Sequence, residues 1–332
     1  LSPPMQPAIA VQELRKAYRY ARRRPGAFGA LAGLFKPDMV ELEAVAGISF
    51  EIAAGERVAV IGPNGAGKST TLKMLSGVLE PSAGDAQVLG FTPWRQRRAL
   101  AYEIGVVFGQ RSQLWTELPV RDSFALLLRI YDQRADVFAG RLGALVERFG
   151  VGEVLDQPAG RLSLGQRMRC EIVAALLHGP RLLFLDEPTI GLDVTAKAAI
   201  RDFIREQSAR EGQTVVLTSH DARDIELVCE RVIVINAGRI VLDEATEGLR
   251  RRFLARKLVT VRSVAPTLEV EMAGVTRRPS EPHTTVLEVD TARARVEAVV
   301  AAALAHGGID DVSVEDPPME EVVHEIYAAL GG

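Results

Sequence analysis

The 332 residues are enough for two domains and a sizeable core, and a net charge of −3 with 25% charged residues gives no overall field to draw a nucleic acid. No stretch approaches the ~20 uncharged apolar residues that cross a bilayer, and the start, Leu1-Ser2-Pro3-Pro4, lacks the charged and apolar regions of a signal peptide. Cys170 and Cys229 fall in an apolar helix and at a helix end, so the chain reads as soluble and cytosolic, with reduced core thiols and no disulfide framework.

In chain order, Val11 to Tyr18 predicts a first strand ending in an aromatic. Tyr20 to Asp38 follows, with Arg22-Arg23-Arg24-Pro25-Gly26 ahead of an apolar run from Ala27 to Phe35. It reads either as a loop with a short helix packed on its own domain, or as a basic, apolar pad for a membrane face or partner. Ala46 to Ile52 and Arg57 to Ile61 are strands, and the second leads into Gly62-Pro63-Asn64-Gly65-Ala66-Gly67-Lys68-Ser69. Gly62, four residues, then Gly67-Lys68-Ser69 is the spacing of a phosphate-binding loop. The apolar run before it and the helical stretch Thr70 to Leu75 after it, ending near Gly77, supply the strand–loop–helix context that the motif requires. Glycines let successive backbone N–H groups turn inward as an anion nest, and the helix start adds the positive end of its dipole. Lys68 is placed to bring a point charge to the β and γ phosphates of ATP, and the Ser69 hydroxyl to ligate Mg²⁺.

Glu80 to Asp85 is a turn and Ala86 to Leu89 a strand. Pro93 to Ala101, with Arg95, Arg97 and Arg98, reads as a solvated helix face, and Ile104 to Phe108 as a short strand. From Val120 through Phe149 the pattern is helical, and Phe124, Leu127, Leu128 and Tyr131 recur at core spacing. Leu162-Ser163-Leu164-Gly165-Gln166-Arg167 then opens the apolar helix Met168 to Leu177. Ser163 suits an N-cap, and Gly165 leaves backbone N–H groups available at a second anion-binding helix start. One phosphate does not need two cradles from one side. The economical arrangement is two chains around ATP, the glycine loop of each facing the Ser163–Gly165 helix start of the other.

A second strand–helix series follows: Arg181 to Leu185, a helix from Thr195 to Arg210, Thr214 to Leu217, then Arg231 to Ile235. Alternation of this kind predicts an α/β fold with a mostly parallel sheet. Its first strand delivers Asp186 and Glu187 at its C-terminal end, where open parallel sheets bind ligands. Asp186 is placed to hold Mg²⁺ and Glu187 to polarise an attacking water. Thr218-Ser219-His220 ends another strand, where a histidine donates to a γ-phosphate oxygen or serves a plain structural role. His178, His283, His306 and His324 carry only the structural or surface reading.

After Asp243 the texture changes to alternating strands at Lys257 to Val264, Leu268 to Met272, Thr285 to Val289 and Ile309 to Val314, with helices at Thr291 to His306 and Met319 to Leu330. The boundary falls near Leu249–Phe253 and the tail predicts a small α+β domain.

Over about Ile9 to Glu247 these motifs, in this order, resemble the ATP-binding subunit of an ATP-binding-cassette (ABC) transporter. The resemblance implies a P-loop NTPase cassette over residues 1–248, with an antiparallel β subdomain and a helical subdomain at about 95–178, and an accessory domain over 249–332. It makes Gly62, Pro63, Asn64, Gly65, Ala66, Gly67, Lys68, Ser69 and Thr70 the ATP cradle. Ser163, Leu164, Gly165 and Gln166 become the signature that meets the γ-phosphate in trans. Asp186 becomes the Walker B aspartate, Glu187 the catalytic carboxylate and His220 the switch. It adds Gln110, in Val107-Phe108-Gly109-Gln110, as a Mg²⁺ and water contact. Asp193, in Gly191-Leu192-Asp193, is placed near the dimer seam, and Tyr18 stacks on adenine with Tyr20 as the alternative.

Leu164 departs from the glycine usual at that place, as in many exporter-type cassettes. Glu315-Asp316-Pro317-Pro318-Met319-Glu320-Glu321 is similar to the C-terminal extension of ATPases paired with ABC-2-type permeases. The partners implied are a second copy or a paralogous ATPase, head to tail, and an integral membrane permease that holds the chain at the cytoplasmic face of the membrane. The expected function is an ATPase powering export of a drug, lipid or polysaccharide-like substrate. The alternatives are an importer subunit and a non-transport ATPase acting on DNA or the ribosome; relatives of the latter kind carry long coiled-coil insertions or two cassettes in one chain, and neither is expected in this sequence.

Overall fold

The computed structural model describes residues 7–22, 38–109, 112–219, 221–249 and 256–317. The first half carries β1 (Ile9–Arg22), β2 (Asp38–Ile52), β3 (Arg57–Ile61), α1 (Lys68–Leu75), β4 (Ala83–Val88), α2 (Arg97–Ala101) and β5 (Ile104–Phe108). Then come α3 (Val120–Ile130), α4 (Ala135–Phe149), α5 (Leu164–Leu176), β6 (Leu182–Asp186), α6 (Val194–Glu211), β7 (Thr214–Thr218), α7 (Ala222–Val228), β8 (Arg231–Asn236), β9 (Arg239–Ala245) and α8 (Thr246–Leu249).

A six-stranded sheet in the order β5–β6–β7–β3–β8–β9 is parallel except for β9, which returns antiparallel to β8. Its inner strands are unbroken apolar runs, as a sheet covered on both faces demands. Alternate residues feed opposite cores. Ala59, Ile61, Leu183, Leu185, Val215 and Leu217 meet α3 to α7, through side chains such as Phe124, Phe149, Phe203 and Ile225. Val58, Val60, Phe184, Val216 and Ile233 face the other way, onto Leu72 and Leu75 of α1 and onto the antiparallel sheet β2–β1–β4. Register then builds the site: Phe108 lies beside Asp186, Asp186 beside Thr218, and Thr218 beside Val60. The C-terminal ends of four strands therefore open onto one edge.

The helical stretch expected from Val120 to Phe149 divides into α3 and α4. Asp132 takes a left-handed conformation at φ 48, and the Gln133 amide returns to the Leu128 carbonyl. Asp tolerates this conformation better than most residues. Strand β9 and helix α7 have no counterpart in the pattern; α7 is short and polar and is started by Asp221, whose side chain accepts from the Arg223 amide at 3.0 Å.

Residues 256–317 form a separate antiparallel sheet in the order β11–β12–β10–β13, from β10 (Arg256–Ser263), β11 (Val275–Arg278), β12 (Thr284–Asp290) and β13 (Ile309–Glu315). Helix α9 (Val296–Leu304) packs Val299 and Ala303 onto Val259, Val261, Leu287 and Val289. The strand expected at Leu268–Met272 is absent and β11 takes its place. Leu268 is buried in the core and its amide is taken by the Thr285 hydroxyl at 2.9 Å, in place of a ladder partner. The helix expected over Thr291–His306 starts only at Val296, and the one expected over Met319–Leu330 lies outside the described residues.

His178 has the structural role. It is buried, stacked on Tyr131 with centroids 3.9 Å apart, and its Nε2–H donates to the Ile104 carbonyl at 3.0 Å. Burial pushes its pKa down from 6.5 to about 4. Below 6.5 the unfolded chain binds a proton there that the folded chain refuses, so folding stability falls as pH drops from 6.5 towards 4. The expected loss is up to about 3 kcal/mol. Chemical denaturation of the wild type and of His178→Gln across that window checks it: the variant's curve should be flatter, and parallel curves would contradict the assignment.

Candidate functional site

The glycine loop wraps between β3 and α1. Gly67 sits at φ 108, and a Cβ there would lie 2.4 Å from the Ala44 carbonyl oxygen of β2. At Gly62 a Cβ would come within 2.0 Å of the Ile235 carbonyl. Both positions exclude a side chain, so the loop's backbone is closely confined. Helix α1 starts with no side-chain cap on Gly67, the form of helix start that offers its first amides to an anion. Lys68 is buried, and its Nζ donates to the carbonyls of Gly62 at 2.7 Å and Pro63 at 3.2 Å.

Three strand ends hold the carboxylates. Asp186 Oδ1 accepts from Ser69 Oγ at 3.0 Å and from Thr218 Oγ1 at 2.7 Å. The Glu187 amide donates to Thr218 Oγ1 at 3.0 Å, and the Gly109 amide to the Asp186 carbonyl at 3.1 Å. Glu187 itself has φ 55, a left-handed conformation that a side chain adopts only where the surroundings enforce it. Thr218 thus bridges Asp186 and the backbone of Glu187. That role has no local signature in the sequence; it exists because β7 lies in register with β6.

Gly67, Lys68, Ser69, Gly109, Asp186 and Glu187 line a cleft of about 550 Å³ together with Tyr18, Leu42, Asn64, Gly65, Ala66, Thr70, Lys73, Phe108 and Ile190, a size that suits a nucleotide. Tyr18, on β1 opposite Leu42 of β2, is 39% exposed on the cleft wall with Lys16 Nζ 5.5 Å from its ring centre. Gln110, His220 and the Tyr20 side chain lie outside the described residues, as does the basic segment 23–37. The segment just after Gln110 is anchored by Glu171 of α5, which accepts from the Ser112 hydroxyl and from the Gln113 amide at 3.1 Å. Burial pushes the Glu171 carboxyl up, opposed by those hydrogen bonds.

Ser163 caps α5: its hydroxyl accepts from the Gln166 amide at 3.3 Å, and Gln166 Oε1 accepts from the Ser163 amide at 3.0 Å, a reciprocal capping box. Ser163 and Leu164 are exposed, and among the described residues the cleft lining includes none of Ser163, Leu164, Gly165 and Gln166. Leu164 instead lies against Gly191, where a Cβ would meet its Cδ2 at 2.5 Å. Asp193, two residues on, caps α6 by accepting from the Ala196 amide at 2.8 Å.

Residues 45–190 match the model of the ABC transporter family. The chain is 35% identical over 208 residues to the ABC transporter ATP-binding protein NatA of Bacillus subtilis, covering 63% of this chain and 84% of that one. It is 32% identical over 292 residues to the daunorubicin resistance ATP-binding protein DrrA3 of Streptomyces coeruleorubidus, covering 84% and 90%. The Nod factor export ATP-binding protein I of Burkholderia orbicola is 35% identical over 205 residues, 62% of this chain and 67% of that one. Among solved structures, an ATP-binding subunit of an ABC transporter superposes with TM-score 0.62 at 26% identity, covering 74% of this chain and 92% of that one. The dimeric cassette MJ0796 in a post-hydrolysis state with ADP and Pi shares the fold at TM-score 0.61 and 22% identity, covering 72% and 98%.

Proposed function

The chain belongs to the family of ABC transporter ATP-binding subunits, which bind and hydrolyse ATP, and on that premise we propose that it drives a separate membrane permease exporting a drug, lipid or polysaccharide-like substrate. The observation that carries the reading is the meeting of Lys68, Ser69, Asp186 and Glu187 at one edge of the sheet, around a nucleotide-sized cleft. Export is supported by the relatives, named for daunorubicin resistance, linearmycin resistance and Nod factor export.

In this reading the loop from Gly62 to Thr70 cradles the phosphates, Lys68 turns its ammonium to the β and γ oxygens, and Tyr18 stacks on adenine. Ser69 and Asp186 fit Mg²⁺: a hydroxyl and a carboxylate, both hard oxygen donors, already stand 3.0 Å apart. Bound there with help from Gln110, the ion would neutralise charge on the β and γ phosphates. Glu187 takes the proton of the attacking water, and His220 donates to the γ-phosphate. The exposed helix start at Ser163, Leu164, Gly165 and Gln166 is offered to the γ-phosphate held by a second copy or a paralogous ATPase, with Asp193 near the seam. The cassette takes up residues 1–248, with the helical part at about 95–178, and residues 249–332 make an accessory domain.

Among the described residues no helix is long and apolar enough to cross a membrane, which fits attachment to the cytoplasmic face through the permease. The test is affinity isolation of the full chain from detergent-solubilised membranes of its own cells, followed by transport in vesicles. An integral membrane chain should co-purify, and ATP should drive substrate out of the cytoplasmic compartment. Recovery with DNA or ribosomes and no membrane chain, or ATP-driven uptake, would overturn the proposal.

A further inference from the structure

Next to the strand ends of β6 and β7 lies a cluster of charged and hydroxyl side chains, buried at its centre, that the roles assigned above do not use. Its centre is Asp224 of α7, 1% exposed. One carboxylate oxygen, Oδ2, accepts from the hydroxyls of both Thr189 and Ser219, the latter at 2.7 Å; the other, Oδ1, accepts from Arg201 Nε at 2.5 Å. Arg201, itself 7% exposed on α6, reaches on to Asp221 Oδ2 at 3.1 Å, which Lys197 Nζ also meets at 2.9 Å. The Asp221 amide closes the ring by donating to the Ser219 hydroxyl at 3.0 Å.

The places of these residues in the chain give the cluster its meaning. Thr189 is two residues after Glu187, and Ser219 and Asp221 flank position 220. Lys197 and Arg201 lie one turn apart on the helix that Asp193 caps. A charge this deep persists only when paired and hydrogen-bonded, and two hydroxyls sharing one carboxylate oxygen fix two loops at one distance. We propose that Asp224 is a positioning residue that, with Arg201, clamps the loop after Glu187, through Thr189, to Ser219 and Asp221 at the end of β7, so that the base Glu187 is held at one place against that strand end. This rests on the catalytic reading of Glu187.

The experiment measures steady-state ATP hydrolysis, affinity for a fluorescent ATP analogue and thermal midpoint on the full chain, for Thr189→Val, Thr189→Ser, Ser219→Ala, the pair Thr189→Val with Ser219→Ala, and Glu187→Gln. Misplacement by about an ångström costs up to ~10²-fold in rate. Thr189→Val and Ser219→Ala should therefore each lower kcat by about 10-fold or more, leaving KM and analogue affinity within about twofold. Thr189→Ser, which keeps the hydroxyl, should retain kcat, and the pair should lose less than the product of the single losses because both act through one oxygen. If kcat is unchanged in the single variants, or falls only in step with the thermal midpoint and multiplies in the pair, the clamp is refuted. Glu187→Gln separates the two readings: normal turnover there removes the catalytic assignment itself, whereas an inactive Glu187→Gln beside fully active Thr189→Val and Ser219→Ala removes the clamp alone.

Discussion

Glu187→Gln is expected to bind ATP as tightly as the wild type and to hydrolyse it at least ~10²-fold more slowly. The geometry makes this substitution unusually clean. The Glu187 amide is held by the Thr218 hydroxyl at 3.0 Å and its carbonyl at 3.2 Å, and the backbone is fixed at φ 55. Glutamine inherits that backbone along with any strain. Volume and hydrogen-bonding reach are almost unchanged. The ability to take a proton disappears together with the negative charge, and a positioned base contributes typically 10²–10⁴-fold. The pair of measurements that decides it is phosphate release under saturating ATP and equilibrium binding of the nucleotide. Near-normal phosphate release would take Glu187 out of the chemistry; a large fall in affinity would mean that its charge serves binding instead.

What could be read before the structure was whatever the chain writes locally. Gly62 to Ser69 is contiguous, and its chemistry depends on a loop whose ends are a strand and a helix, both visible as short periodic runs. The run ending in Asp186 and Glu187 was legible for the same reason, since an apolar strand must release its polar residues at its end. What escaped is written across the sheet. Thr218 holds Asp186 and Glu187 because β6 and β7 are in register by one particular pairing, Asp186 with Thr218, and nothing within either strand announces it. The contact of Leu164 with Gly191 is of the same kind: Gly191 sits at φ 68 with no side chain, leaving the space that Leu164 fills. The turn at Asp132 and the irregular stretch around Leu268 escaped for a different reason. In both, apolar periodicity continues through a break that is decided by one backbone conformation or one side-chain hydrogen bond, so the pattern alone overruns it.

Lys68→Ala carries the other large expectation: affinity for ATP should fall by roughly 10- to 10²-fold, and turnover should be lost with it. A hydrogen bond to a charged group contributes about 1.5–3 kcal/mol, and Lys68 is placed to make such bonds to the γ and β oxygens together. In the structure its ammonium rests on the carbonyls of Gly62 and Pro63, at 2.7 and 3.2 Å. Those two carbonyls belong to the loop that must close over the phosphates, so the same side chain braces the cradle from within. Truncation to alanine removes the packed stem and the ammonium together, and affinity alone would not tell them apart. Lys68→Met does, because it keeps the apolar stem inside the loop while removing the ammonium. If the charge is what ATP feels, Lys68→Met binds as poorly as Lys68→Ala, and the affinity of the wild type weakens with added salt more steeply than that of either variant. Wild-type affinity in Lys68→Met would leave the loop's amides as the whole of the phosphate site and the apolar stem of Lys68 as its internal support.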